Sequence, residues 1–397
     1  MKLALIEEIK STPRPPIEEI LSEVGRILQS NKITETIQVD EQFNVSSRDR
    51  VKFHALKILG VRYVPVSHGL KEEIDMTLEE LGFYEDLQFN HLRVCKDLNE
   101  LIKACWPTPL IRLNSLSTSY GEVWAKLEYL NPFSNSIKDR IGWYMITDAF
   151  ENNLCSTISE KIYEASSTNT GIALSCISKN FNLKTRIYLP KTVQRSSDFY
   201  MRLFGSDVVR VPEELTIQAI KRVKQDSLKD NALHINQFEN DANFIAHLRF
   251  TSKELDYQLR SIRLRPRRII CALGTSGHAS AISFYFKNRY QDKVEVIGVQ
   301  PARDELIPGM RRVETGMKWI HYVKIDKLID VSRDEAIKGL IKIATGDGLP
   351  IGLSSGAVVA ALEKLSNTDD ATILVFPDHV YKYIEIIMDY FNSTNTQ

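Results

Sequence analysis

Cysteine is scarce. The 397-residue chain has five, Cys95, Cys105, Cys155, Cys176 and Cys271, with no Cys-x-x-Cys pair and no histidine at ligand spacing. That scatter argues against a zinc centre or a disulfide framework and predicts a reduced, cytoplasmic protein. No apolar run is long enough to span a bilayer. Acidic residues follow Met1-Lys-Leu-Ala-Leu-Ile too early for a secretory signal. Net charge is absent as well: 51 basic and 51 acidic side chains leave +0, so no global field draws the chain to nucleic acid or an anionic membrane. Any anionic ligand has to be held locally.

What the chain does have is length and apolar content, 43% hydrophobic, enough for two to three cored domains. Residues 1–104 read as an accessory unit. Thr12-Pro-Arg-Pro-Pro16 is a stiff lead-in, after which Ile17, Ile20, Leu21, Val24, Ile27 and Leu28 recur at helical spacing. A second helix is predicted from Arg48 to Leu59, ending at Gly60. Val61–Val66 reads as a strand, and Thr77 with Glu80 as a capping box. None of these residues suggests chemistry; their apolar stripes are core or interface.

From Trp106-Pro-Thr-Pro-Leu onward, short β-branched runs alternate with helical stretches. Strands are predicted at Val123–Glu128, Lys161–Ala165, Thr185–Leu189, Asp207–Val211, Arg268–Ala272, Glu295–Val299 and Thr372–Phe376. That alternation predicts an α/β fold with parallel sheet, whose ligands sit at the carboxyl ends of the strands. Residues 105–245 and 246–397 are expected to form a smaller and a larger α/β subdomain.

The motifs fall at those strand ends. In Asn131-Pro-Phe-Ser-Asn-Ser-Ile-Lys138-Asp-Arg140, Asn-Pro stops a strand and Ser134 or Ser136 can cap the helix that follows. Lys138 then lies in the first helical turn, where a cation opposes the helix dipole. Most lysines sit on solvated faces; one kept here has a lowered amine pKa and suits Schiff-base chemistry. Ser166-Ser-Thr-Asn-Thr-Gly171 and Leu273-Gly-Thr-Ser-Gly-His278 each join a strand to a helix, a setting for anion binding by backbone N–H groups or for plain N-capping. Gly352-Leu-Ser354-Ser-Gly-Ala357 also opens a helix. Arg311 and Arg312 follow a Pro-Gly turn, in a loop expected between the Val299 strand and the next helix. They suit phosphate or carboxylate, or an ordinary surface pair with Glu314.

Together these blocks resemble the fold-type II pyridoxal-phosphate enzymes of the cysteine synthase and cystathionine β-synthase group, and within it the archaeal branch that uses O-phosphoserine. The resemblance implies two doubly wound subdomains with the active site between them, plus a small N-terminal accessory domain. It implies pyridoxal 5'-phosphate held by Lys138, with Asn169 on the cofactor 3'-oxygen. Gly274, Thr275, Ser276, Gly277 and His278 form the phosphate cup, and Ser354 faces the pyridine nitrogen. Ser276 and His278 stand where the usual pattern has Gly and Thr, leaving His278 as phosphate donor or cap. Ser166, Ser167 and Thr168 take the substrate carboxylate, with Thr168 in place of the usual Gly, and Gln237 contacts that carboxylate. Thr216 and Arg311 meet the leaving group. The implied reaction makes L-cysteine from O-phospho-L-serine and sulfide in a homodimer; O-acetyl-L-serine as substrate, or cystathionine β-synthase activity, is the alternative. A silent homologue commonly lacks the lysine or the asparagine, and both are present.

Overall fold

The computed structural model describes residues 2–10, 13–87, 92–152, 160–291, 293–368 and 370–394; Met1, Thr12 and Cys155 lie outside the described residues. The early apolar stripe becomes helix α1 (Ile17–Ser30), with Ile20, Leu21, Val24, Ile27 and Leu28 buried. The next helix is α2 (Arg50–Leu59), stopped at Gly60 in a left-handed conformation. Around them run β1 (Lys2–Leu5), β2 (Lys32–Glu35), β3 (Ile37–Gln38), β4 (Tyr63–Ser67) and β5 (Glu73–Thr77). β4 is flanked by β1 and β3, and β2 pairs with β5. The capping box forms: Thr77 N–H donates to Glu80 at 2.8 Å and Glu80 N–H to Thr77 Oγ1 at 3.3 Å.

The chain continues with β6 (Leu110–Arg112), β7 (Val123–Leu127), α3 (Lys138–Glu151), β8 (Lys161–Ala165), α4 (Asn169–Ile177), β9 (Lys184–Pro190), β10 (Asp207–Val211) and β11 (Leu233–His234). A π-helical turn, His247–Ser252, leads into α5 (Lys253–Ser261). Then come β12 (Pro266–Ala272), α6 (Gly277–Tyr290), β13 (Glu295–Pro301), β14 (Lys327–Val331), α7 (Arg333–Asp347), α8 (Leu353–Glu363), β15 (Ala371–Phe376) and α9 (Ile384–Thr394).

Two parallel sheets organise it. The smaller has the order β10-β9-β8-β11 and the larger β14-β13-β12-β15-β7-β6, parallel except that β6 runs antiparallel to β7. Helices cover both faces, so the inner strands Ile269-Ile-Cys-Ala and Ile373-Leu-Val-Phe are continuous apolar runs.

Two expectations change. The loop carrying Arg311 passes through two short 3-10 turns, Val313–Thr315 and Trp319–Tyr322, into strand β14 before any α-helix; Lys327-Leu-Ile-Asp-Val is a largely exposed edge strand with little apolar pattern. Sheet membership also cuts across a division at residues 105 and 245, because β7 pairs with β15 and brings β6 with it into the larger sheet. The chain therefore starts the larger sheet, builds the smaller, and returns.

The first unit packs on the rest of the same chain. Val24, Phe53 and Leu56 share one core with Leu248, Tyr285 and Phe286. Among the described residues, Cys95, Cys105, Cys176 and Cys271 are free, no cluster of His, Cys, Asp and Glu could hold a metal ion, and no helix is long and apolar enough to cross a membrane.

Candidate active site

The turn before α3 is built by its own side chains. The Asp139 carboxylate accepts the N–H of Phe133 at 2.7 Å and of Ser134 at 2.9 Å, closing the Asn-Pro-Phe-Ser loop. Ser136 Oγ accepts the Lys138 N–H at 3.1 Å, so of the two candidate serines Ser136 bonds the helix start. Ile137 N–H donates to Pro377 O at 2.8 Å, which ties this turn to the carboxyl end of β15. Lys138 thus opens its helix where the sheet ends.

Its side chain lines a cleft of ≈ 400 Å³ between the two sheets, a volume suited to a small cofactor with substrate. Exclusion of water draws the Lys138 amine down to about 8, while the Asp378 carboxylate pulls it back up. Burial is therefore the chief cause of the lowering, where the sequence pointed to the helix dipole.

The cleft gathers most of the residues singled out in the sequence: Ser167, Thr168, Asn169, Thr216, Gln237, Gly274, Thr275, His278, Arg311 and Ser354 all line it. Ser166, Ser276 and Gly277 support the wall from behind. Ser166 Oγ is fully buried and accepts the N–H groups of Thr168 at 3.1 Å and Gly171 at 2.8 Å, which shapes the loop. Thr168 Oγ1 meets Ser197 Oγ at 3.0 Å on the cleft side. Ser276 takes φ +68°, a left-handed conformation that glycine adopts without steric cost. Gln237 reaches the wall with its amide already engaged: it accepts from Thr170 at 2.7 Å and donates to Ala165 O at 2.8 Å. It acts there as a brace between loops.

Among the described residues, several buried polar atoms in this wall have no partner: Asn169 Oδ1, Ser276 Oγ and His278 Nε2. Burial pushes His278 down to about 3, leaving a neutral imidazole. Helix α8 is capped by the backbone of Gly352, so Ser354 is not spent as an N-cap and faces the cleft.

The arginine pair divides. Arg312 donates to Asp330 at 2.8 Å and Glu314 at 3.0 Å and is an ordinary ion pair. Among the described residues Arg311 has no carboxylate partner. Its guanidinium donates to Thr315 Oγ1 at 3.1 Å and Gly316 O at 2.7 Å, lies over the Phe238 ring at 5.1 Å, and is drawn down to about 10 by burial. Its loop sits directly on the Gly274 turn: Arg311 N–H donates to Leu273 O at 2.8 Å, and a Cβ on Gly274 would come within 2.6 Å of Gly309 O. Glu239 attracts it from outside ion-pair distance, so among the described residues a cation with no carboxylate in direct contact faces the cleft beside a glycine-rich turn.

Three more residues, Asp378, Lys382 and Tyr383, come from Phe376-Pro-Asp-His-Val-Tyr-Lys-Tyr383, a block that resembles the family's Pro-Asp-x-Gly-x-x-Tyr closing segment with Val380 in place of the glycine and to which the sequence assigned no site role. Asp378 accepts from Asn169 Nδ2 at 2.8 Å and from the Tyr383 hydroxyl, and it stands near Lys138. Lys382 lines the cleft and donates to Asn135 O at 3.1 Å. The available signal was Pro377-Asp378 at the end of a buried strand.

Residues 101–378 match the family model described as "Pyridoxal-phosphate dependent enzyme". The chain is 30% identical over 306 residues to cysteine synthase B of Campylobacter jejuni, covering 74% of this chain and 98% of the relative. It is 31% identical over 276 residues to cysteine synthase of Helicobacter pylori (strain J99), covering 66% and 88%. The crystal structure of an O-acetylserine dependent cystathionine β-synthase from Helicobacter pylori superposes with a TM-score of 0.64 at 25% identity, over 74% of this chain and 98% of that one.

Proposed function

Because the chain belongs to the pyridoxal-phosphate dependent enzyme family and so uses that cofactor, we propose that it is a cysteine-synthase-type enzyme that replaces the β-substituent of an O-substituted L-serine, with O-phospho-L-serine as substrate. The cleft suits the cofactor on its own chemistry. A neutral-leaning amine, a glycine-rich helix start with partnerless Ser276 Oγ and His278 Nε2, and the free Asn169 Oδ1 are the complement of an aldehyde, a phosphate and a ring oxygen. Lys138 would hold the cofactor, residues Gly274 to His278 its phosphate, Asn169 its ring oxygen and Ser354 its ring nitrogen. Bound there, it supplies an electron sink for the substrate α-carbon, weaker with a hydroxyl at the ring nitrogen than with a carboxylate.

The protein's own groups do the rest. Ser167 and Thr168 orient the substrate carboxylate at the start of α4. The Lys138 amine, near neutrality at about pH 8, takes the α-proton as general base. Phosphate leaves the β-carbon, hydrosulfide bonds to that carbon in its place, and Lys138 returns the proton to the α-carbon, giving L-cysteine. Thr216 and Arg311 meet the departing phosphate.

The observation that carries phosphoserine over acetylserine is Arg311, a half-buried cation in the cleft with no carboxylate in ion-pair contact among the described residues. An acetate ester carries no charge for it to meet. Arg311→Ala is expected to remove about 1.5 to 3 kcal/mol of transition-state stabilisation with phosphoserine, roughly a 10- to 150-fold loss in kcat/KM, and to leave acetylserine nearly unchanged. Steady-state assays with both substrates check this; equal losses on the two would remove the phosphate-recognition role.

A further inference from the structure

We propose that the first unit, residues 2–87, is a built-in clamp on the catalytic cleft, and that Lys253 is the positioning residue through which it acts. Lys253 is buried, outside the cleft, and unused by the chemistry above. Its ammonium is wrapped by oxygens of the first unit: Leu59 O at 3.1 Å, Gly60 O at 3.4 Å, Phe83 O at 2.9 Å and Asp86 Oδ1 at 2.6 Å. One of these is the last carbonyl of α2 and the next that of the Gly60 cap, the end of a helix that attracts a cation. The fit is close, since a Cβ on Gly60 would meet Asp86 Oδ2 at 2.5 Å and Lys253 Nζ at 3.0 Å.

The neighbouring residue points the contact inward. Glu254 accepts from Arg140 at 2.8 and 2.7 Å and from Lys126 at 3.3 Å. Arg140 is two residues after Lys138 on α3. Glu254 therefore transmits the seat of Lys253 to the helix that opens with the catalytic lysine.

A second arm leaves the same helix α5. Asp256 accepts from Tyr84 of the first unit at 2.9 Å and from Tyr285 of α6 at 2.8 Å, and α6 begins at the Gly277 turn. The π-helical turn before Lys253 explains how one helix serves both arms. A single inserted residue rotates the downstream helix by about 100°, and such turns are costly and concentrate at functional sites. At its other end the turn holds His247 edge-on to His278, with ring centroids 5.8 Å apart.

The inference rests on Lys138 being the cofactor lysine, and the test separates the two readings. Full-length wild type, Lys253→Met and Asp86→Asn are compared by amide hydrogen exchange without added cofactor and by spectroscopic titration with pyridoxal phosphate. Asp86→Asn keeps the side-chain size and decides the matter if Lys253→Met does not fold. The expected result is faster exchange at residues 50–60 and also at 138–143 and 277–280, with cofactor binding roughly tenfold weaker, within the range of coupled sites. Faster exchange confined to the first unit, with 138–143, 277–280 and cofactor affinity unchanged, overturns the clamp. Coupled exchange in a protein that takes up no cofactor upholds the clamp and sinks the cofactor reading.

Discussion

Lys138→Ala is expected to lower kcat by roughly 10³-fold or more and to let the cofactor dialyse away from an otherwise folded protein. Two roles disappear with one side chain, the group that holds the cofactor and the base for the α-proton, and positioned general bases alone contribute about 10² to 10⁴. The amine is the reactive form, and burial brings Lys138 down to about 8 from the ordinary 10.5. Neutral amine therefore accumulates as pH rises through 8, and uptake of pyridoxal phosphate by the cofactor-free protein should quicken up to that point and then level off. Stopped-flow absorbance measures it. An alanine variant that keeps its visible band through dialysis and turns over at the wild-type rate would place the chemistry on another residue.

Arg140→Ala is expected to be the most damaging substitution for stability, about 3 to 5 kcal/mol. Its guanidinium is fully buried, donates to Glu128 at 2.6 and 2.9 Å and to Glu254 at 2.8 and 2.7 Å, and lies over the Trp106 ring at 4.7 Å. Glu128, held down to about 2 in the intact network, would be left with Glu254 around the single cation Lys126, with all three sealed from water. A loss of that size is a large share of a typical folding free energy of roughly 5 to 15 kcal/mol. Urea unfolding followed by fluorescence reads it directly, and a midpoint within error of wild type would show that water relieves the network.

Much of this fold is legible along the chain because local rules and tertiary packing agree there. The runs at 161–165 and 372–376 are buried parallel strands with no competing reading, the run at 207–211 is a parallel edge strand that buries Val208 and Val211, and Thr77 with Glu80 forms its predicted cap. The cleft residues were legible for a related reason: strands of a parallel sheet end on one side, so motifs at strand ends converge. What stayed hidden depends on partners distant in sequence. Asp378 gains meaning only when Asn169 and Lys138 arrive beside it. Arg311 and Arg312 look alike until Asp330 on β14 claims the second. Gln237 invites a ligand role until Thr170 and Ala165 occupy its amide. β14 itself is an edge strand whose exposed residues carry no burial signal.

The strand order has a consequence for synthesis. β7 emerges early, yet its inner neighbour is β15, at the far end of the chain. While the ribosome is still making residues 128 to 370, β6 and β7 have an open flank, and such long-range pairing forms slowly. The smaller sheet, assembled from 161 to 234, meets no such delay. The turn before Lys138 bonds to Pro377 and so waits for the last strand. A nascent chain can thus carry a finished smaller sheet while the larger one is still open, and its lysine is seated only after residue 377 has been made.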